Sequence, residues 1–132
     1  KTTAFIWLTA WCSLQISTCG PSEPHRYGRP DKPPVPEGGI VIKFNANQKY
    51  CTDAVSAAMF RDICNQADVP VQTFTNRSDI AGGSTLGNIS NTQVALNTVD
   101  IGLPQLAMHS PYETAGVKDT EYLVRAAQEF FC

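Results

Sequence analysis

Within the run TVDIGLPQLAMHSPYE, residues 98–113, His109 is the side chain best suited to chemistry. It follows an apolar stretch at the point where a strand would pass into a loop, and such loops commonly carry ligating and catalytic groups. A neutral imidazole there could bind a borderline-soft metal ion or move a proton near neutral pH. The residues alone leave open a second reading, a structural histidine beside a core strand. The chain has two histidines in all, so the rest of the sequence has to decide.

A chain of 132 residues is long enough for one domain with a core, and 42% hydrophobic with 17% charged residues places it among soluble globular proteins. The formal charge of −2 gives no reason to expect nucleic acid or an anionic membrane as partner. No run approaches the ~20 apolar residues of a membrane span. Cys12, Cys19, Cys51, Cys64 and Cys132 are odd in number and form no CxxC pair, which fits reduced thiols in a cytoplasmic protein.

The elements that would position His109 begin after a compositional break near residue 38. From Ser22 to Gly39 five prolines and three glycines leave no room for helix or strand. GIVIKFN then reads as a buried strand. Thr52 is placed to cap a helix over residues 53–67, with Val55, Met59 and Ile63 as its apolar stripe. VQTFT alternates as a second strand, a Gly-rich polar stretch follows, and TVDIGLP reads as a third strand. A last helix is expected over residues 120–131, with Leu123, Val124, Ala127, Phe130 and Phe131 on one face. Strands alternating with helices predict an α/β fold with a mainly parallel sheet covered on both sides. Three strands are few for such a sheet, so this core would form part of a larger layer.

VIKFNANQKY (41–50), VPVQTFTNRSDIAGGSTLGNIS (69–90) and VDIGLPQLAMHSPYETAG (99–116) resemble the C-terminal end of the aspartyl aminopeptidase family of zinc metallopeptidases, metallopeptidase family 18. Three separated motifs occur in the family's order and spacing, and the resemblance covers residues 39–132. It implies the C-terminal part of a three-layer zinc-exopeptidase-like (phosphorylase/hydrolase-like) catalytic domain. It further implies removal of N-terminal, often acidic, residues from peptides at a two-zinc site with activated water. His109 corresponds to a zinc ligand. Lys43 and Tyr50 correspond to residues near the bound substrate, Lys43 as a positive charge for an acidic side chain and Tyr50 as a hydroxyl donor. Read on their own, they fit a solvated strand-edge lysine and a half-buried core tyrosine. Asp79, Gly82, Gly83 and Ser84 form a Gly-rich turn that could bring backbone amides close to substrate. GGSTLG lacks the lysine and spacing of a phosphate-binding loop. Glu113 is the candidate partner of His109, with a surface glutamate as the alternative. The full-length family forms homo-oligomers.

One histidine cannot hold a catalytic zinc, for which three protein ligands are the usual minimum. The family takes a glutamate pair and a histidine from upstream sequence, and an Asp from a Ser-Ala-Asp segment followed by His-Ala-Val-His-Pro-Asn shortly before the VIK strand. Here that stretch reads ISTCGPSEPHRYG, with Cys19 near the expected place. Both segments can be recovered by sliding the reading frame, by two bases over codons for residues 4–16 and by one base over codons for residues 18–24. Residues 1–38 are therefore expected to be an irregular, out-of-frame segment without a site. A rival reading takes Lys1, AFIWLTAW and the small residues before Cys19 as a short secretory signal. For the molecule as it stands, two functions follow: a fragment of a zinc aminopeptidase, inactive alone for want of ligands, or a non-catalytic assembly or pseudoenzyme module of the same fold.

Overall fold

The computed structural model describes residues 34–75, 91–93, 97–107 and 110–131 with their side chains, and residues 5–7 and 12–13 by their backbone. The elements in chain order are β1 (Phe5–Trp7), β2 (Cys12–Ser13), β3 (Ile40–Phe44), α1 (Ala54–Gln66), β4 (Val71–Thr75), β5 (Thr98–Gly102), β6 (Pro104–Leu106), β7 (Thr114–Ala115) and α2 (Val117–Phe131). A four-stranded sheet runs in the order β1-β5-β3-β4, and a three-stranded sheet in the order β2-β6-β7.

The three strands expected from β-branched runs, β3, β4 and β5, are neighbours in the larger sheet, with β3 between the other two. Their alternation sorts the side chains cleanly. Ile40, Ile42, Val99 and Ile101 face one way and are joined by Ala57, Phe60 and Cys64 of α1 and Ala126 of α2 in a single buried cluster. Each fully buried aliphatic or aromatic side chain contributes about 1.5–3 kcal/mol. Helices α1 and α2 therefore cover the same face, and residues 91–93 form a further helical stretch. The opposite face, carrying Val41, Lys43, Thr98 and Asp100, is also closed to solvent. The sheet is mixed: β1–β5 and β3–β4 are parallel, but the central β3–β5 ladder is antiparallel. The sequence signals a strand's existence but not the direction of its neighbour.

Further expectations need correction. Two short strands lie inside the segment expected to be irregular, where Phe5–Trp7 pairs with Thr98–Asp100 and Cys12–Ser13 with Pro104–Gln105. Each of these pairings satisfies backbone groups that β5 and β6 would otherwise leave open. The cap of α1 is Asp53 rather than Thr52: its carboxylate accepts from Ser56 N at 2.7 Å while Ser56 Oγ accepts from Asp53 N at 3.0 Å. The buried stripe of α1 is Ser56, Ala57, Phe60 and Cys64, and Val55 is 59% exposed. The stripes led by Val55 and Ser56 lie one residue apart, about 100° around the helix, and the larger area of Phe60 decides between them. α2 starts at Val117, earlier than expected, and its Val124 and Phe131 are exposed rather than packed.

Asp119, in the first turn of α2, is fully buried. Its two carboxylate oxygens accept from Glu37 N at 2.7 Å and Gly39 N at 3.0 Å, which ties the turn before β3 to the helix. The side-chain amide of Gln72 holds the same turn from β4, accepting from Val35 N at 2.8 Å and donating to Val35 O at 2.9 Å. These bonds fix where β3 begins, and so where Lys43 lands.

Candidate functional site

The site lies where β3 and β5 part. Their antiparallel ladder pairs Val41 with Gly102 and Ile42 with Ile101, and continuing it would set Lys43 opposite Asp100. The ladder ends there instead. Asp100 N donates to Thr52 Oγ1 at 2.8 Å, so a hydroxyl from the β3–α1 connection replaces the missing strand partner. Asp100 Oδ2 accepts from Cys51 N at 2.8 Å and from the Cys51 thiol at 3.1 Å. Thr52 failed as a helix cap because its hydroxyl is committed here.

Lys43 and Asp100 lie on the same sheet face, and both are buried, 3% and 0% exposed. Buried charges of this kind persist only where they are partnered. Lys43 Nζ stands over the Tyr50 ring, 5.5 Å from its centroid, within the range of a favourable cation–π contact. Tyr50 in turn lines a cleft of about 450 Å³, walled by Gln48 and residues 50–53 on one side and by Asn91 and Thr92 on the other. Thr98 Oγ1 donates to Asn91 Oδ1 at 2.8 Å, which anchors that second wall to β5. The arrangement sets a buried cation behind the Tyr50 phenol, which faces an opening lined also by the Gln48 and Asn91 amides, the Thr52 and Thr92 hydroxyls, Cys51 and the Asp53 carboxylate, a chemistry suited to a polar ligand.

Burial, followed by the hydrogen bond to Asp100 and that carboxylate's charge, pushes the Cys51 thiol up to about 12. Cys64, in the core, is pushed up to about 12 by burial alone. Both remain neutral near pH 7, and Cys51 acts as a hydrogen-bond donor. At pH 8 iodoacetamide should therefore label Cys51 and Cys64 roughly a thousandfold more slowly in the folded chain than in urea, as read by mass spectrometry of the two peptides. Since both folded values exceed the ordinary 9.0, the stability these thiols contribute is intact below pH 9 and is lost as the pH rises toward 12. At the helix cap the sign is reversed: the Ser56 backbone bond holds the Asp53 carboxyl below its ordinary value.

Of the residues expected at the site, Lys43 and Tyr50 come together. The solvated strand-edge reading of Lys43 is excluded by its burial. His109, Asp79, Gly82, Gly83 and Ser84 lie outside the described residues. Glu113 accepts from Gln105 Nε2 at 2.9 Å, from the strand β6 that leads toward His109. Among the described residues no group of three or more His, Cys, Asp or Glu could hold a metal ion. A protonated Cys51 thiol bonded to Asp100 does not make a zinc ligand set either, so the described residues do not by themselves fit a zinc centre. Asp100, Cys51 and Thr52 were not anticipated. The signal available was the acid in TVDIG, since an aspartate inside an otherwise apolar strand must find partners.

The family described as aminopeptidase I zinc metalloprotease (M18) matches residues 13–131, which takes in part of the segment before residue 39. "Probable M18 family aminopeptidase 2" of Pseudomonas paraeruginosa (strain DSM 24068 / PA7) is 49% identical over 98 residues, 74% of this chain and 23% of the relative. The protein of the same description from Clostridium novyi (strain NT) is 47% identical over 102 residues, 77% of this chain and 24% of the relative. The chain thus spans about a quarter of the length of these curated relatives. Among solved structures, a chain of the Ape4 and Nbr1 complex, determined by cryo-EM, superposes with a TM-score of 0.76 at 40% identity, covering 80% of this chain and 20% of that one. A chain of the S. cerevisiae mApe1 dodecamer gives a TM-score of 0.64 at 31% identity over 74% of this chain and 21% of its own length.

Proposed function

Because the chain belongs to the M18 family of aminopeptidase I zinc metalloproteases, we propose that it is a piece of a zinc-dependent metalloaminopeptidase and carries part of that enzyme's substrate wall. The reaction assigned to the longer protein is removal of the N-terminal residue, often acidic, from peptides at a two-zinc centre with activated water. His109 is this chain's contribution to that centre. Lys43 meets an acidic side chain of the substrate, and the Tyr50 hydroxyl donates to the oxygen that gains charge. The Gly-rich turn with Asp79, Gly83 and Ser84 supplies further substrate contacts.

The observation that carries this reading is the buried Lys43 ammonium set over the ring of Tyr50, a residue that itself lines a polar cleft. Holding a lysine there costs desolvation, which an arriving carboxylate offsets through a charge-assisted bond. A non-catalytic assembly module is the second reading. It is favoured by the dodecamer among the similar structures. On either reading the longer protein is a homo-oligomer. The free thiols of Cys51 and Cys64 support a cytoplasmic setting. Among the described residues no helix is long and apolar enough to cross a membrane.

The two readings agree that this chain alone lacks a complete catalytic centre. With added Zn²⁺ the purified chain should show no release of aspartate from an N-terminal-aspartyl peptide. Turnover abolished by chelation would show that the chain holds a full ligand set and would overturn both.

A further inference from the structure

We propose that Asp100 is a positioning residue that fixes Tyr50 beneath Lys43 and so keeps in shape the wall of the cleft that Tyr50 lines. Its consequence for substrate rests on the function proposed above, but its geometry does not. The β3–α1 connection, residues 45–53, leaves the sheet after Phe44 and returns at the start of α1, and residues 46–49 are exposed. At its return it is bonded to Asp100 three times over: Asp100 N donates to Thr52 Oγ1, and Asp100 Oδ2 accepts both Cys51 N and the Cys51 thiol. The Thr52 hydroxyl also faces Asp100 O at 3.5 Å. The two residues that immediately follow Tyr50 are thereby pinned to one point on β5.

That point sits across from Lys43 in the continued register of β3 and β5, on the same sheet face. Asp100 thus relates the two halves of the cation–π pair, Lys43 on the strand and Tyr50 on the connection. Full burial makes the arrangement stiff, because a desolvated carboxylate that loses its donors is strongly disfavoured. A residue of the same size that could not accept hydrogen bonds would leave β5 in place but release residues 50–52. The two bonds from Cys51 converge on the single oxygen Oδ2, an acceptor that asparagine can supply and leucine cannot.

The test reads the Tyr50–Lys43 contact directly. In NMR spectra of the full chain, the Lys43 Cε protons should carry an upfield ring-current shift that Tyr50→Leu removes, which assigns it. Asp100→Leu is expected to lose that shift while the resonances of Ile42 and Phe60, on the other face, stay in place. Asp100→Asn is expected to keep it. A folded leucine variant with the shift intact overturns the proposal, as does an asparagine variant that loses it. Should the leucine variant not fold, Thr52→Val carries the same test: a reduced shift supports the proposal and an unchanged one overturns it. Binding of an N-terminal-aspartyl peptide to the same variants separates the two claims. If the wild-type chain does not distinguish that peptide from its asparaginyl counterpart, the substrate reading fails while the ring-current result still decides the role of Asp100.

Discussion

Gly39→Ala is expected to destabilise the chain by on the order of 3–5 kcal/mol, measured by urea denaturation of the purified protein. Gly39 has φ +100°, a conformation L side chains rarely adopt, and a Cβ there would stand 2.0 Å from the Pro70 carbonyl oxygen and 2.5 Å from its carbon. Neither atom can yield cheaply. Pro70 O accepts Ile40 N at 3.1 Å where β3 and β4 begin to pair, so moving it opens the parallel ladder at its first rung. Gly39 N is also one of the two donors to the buried Asp119 carboxylate, and displacing it leaves that charge half-satisfied. Since small domains hold only about 5–15 kcal/mol in total, this one methyl group should remove a large part of the margin. A loss below ~1 kcal/mol would show that the junction between the 35–39 turn, β4 and α2 is not built as described. Gly38 offers the contrast, because the three atoms nearest to its added Cβ all belong to the side chain of Gln72.

The legibility of this fold in the sequence follows the range of the forces involved. β3, β4 and β5 announce themselves locally, through β-branched runs bounded by Gly, Pro and polar residues. Their pairing directions do not, because the antiparallel β3–β5 contact joins residues some sixty positions apart, Ile42 and Ile101. Thr52 and Asp53 are both good caps by type, and the choice between them was made by Asp100, 48 residues away, which claims the Thr52 hydroxyl. The buried α1 stripe lies one residue from the one its periodicity suggests, because periodicity fixes a spacing but not which of two neighbouring rows meets the sheet. Lys43 and Tyr50 could be named from the family resemblance. That the lysine is buried over the tyrosine ring depends on where β3 ends and how the connection returns, and no spacing rule gives that.

The second large effect is expected at Lys43. Gln at this position keeps most of the stem packed on β3 but removes the charge, and a hydrogen bond to a charged partner contributes about 1.5–3 kcal/mol. Lys43→Gln should therefore weaken binding of an N-terminal-aspartyl peptide by roughly 10- to 100-fold. Binding of the corresponding asparaginyl peptide, which brings no carboxylate to that point, should change little. The variant should melt near the wild type, since a buried ammonium that is no longer present also no longer costs desolvation. Loss of affinity for both peptides together would instead mark Lys43 as a residue that shapes the cleft without reading charge.

The measurement that bears most directly on the account is a calorimetric titration of the wild-type chain with the aspartyl and asparaginyl peptides in parallel. A clear preference for the aspartyl peptide, lost in Lys43→Gln, is the result expected if this chain carries the acid-recognising wall of an M18 aminopeptidase. Equal affinity for the two peptides, or no binding of either, would contradict it.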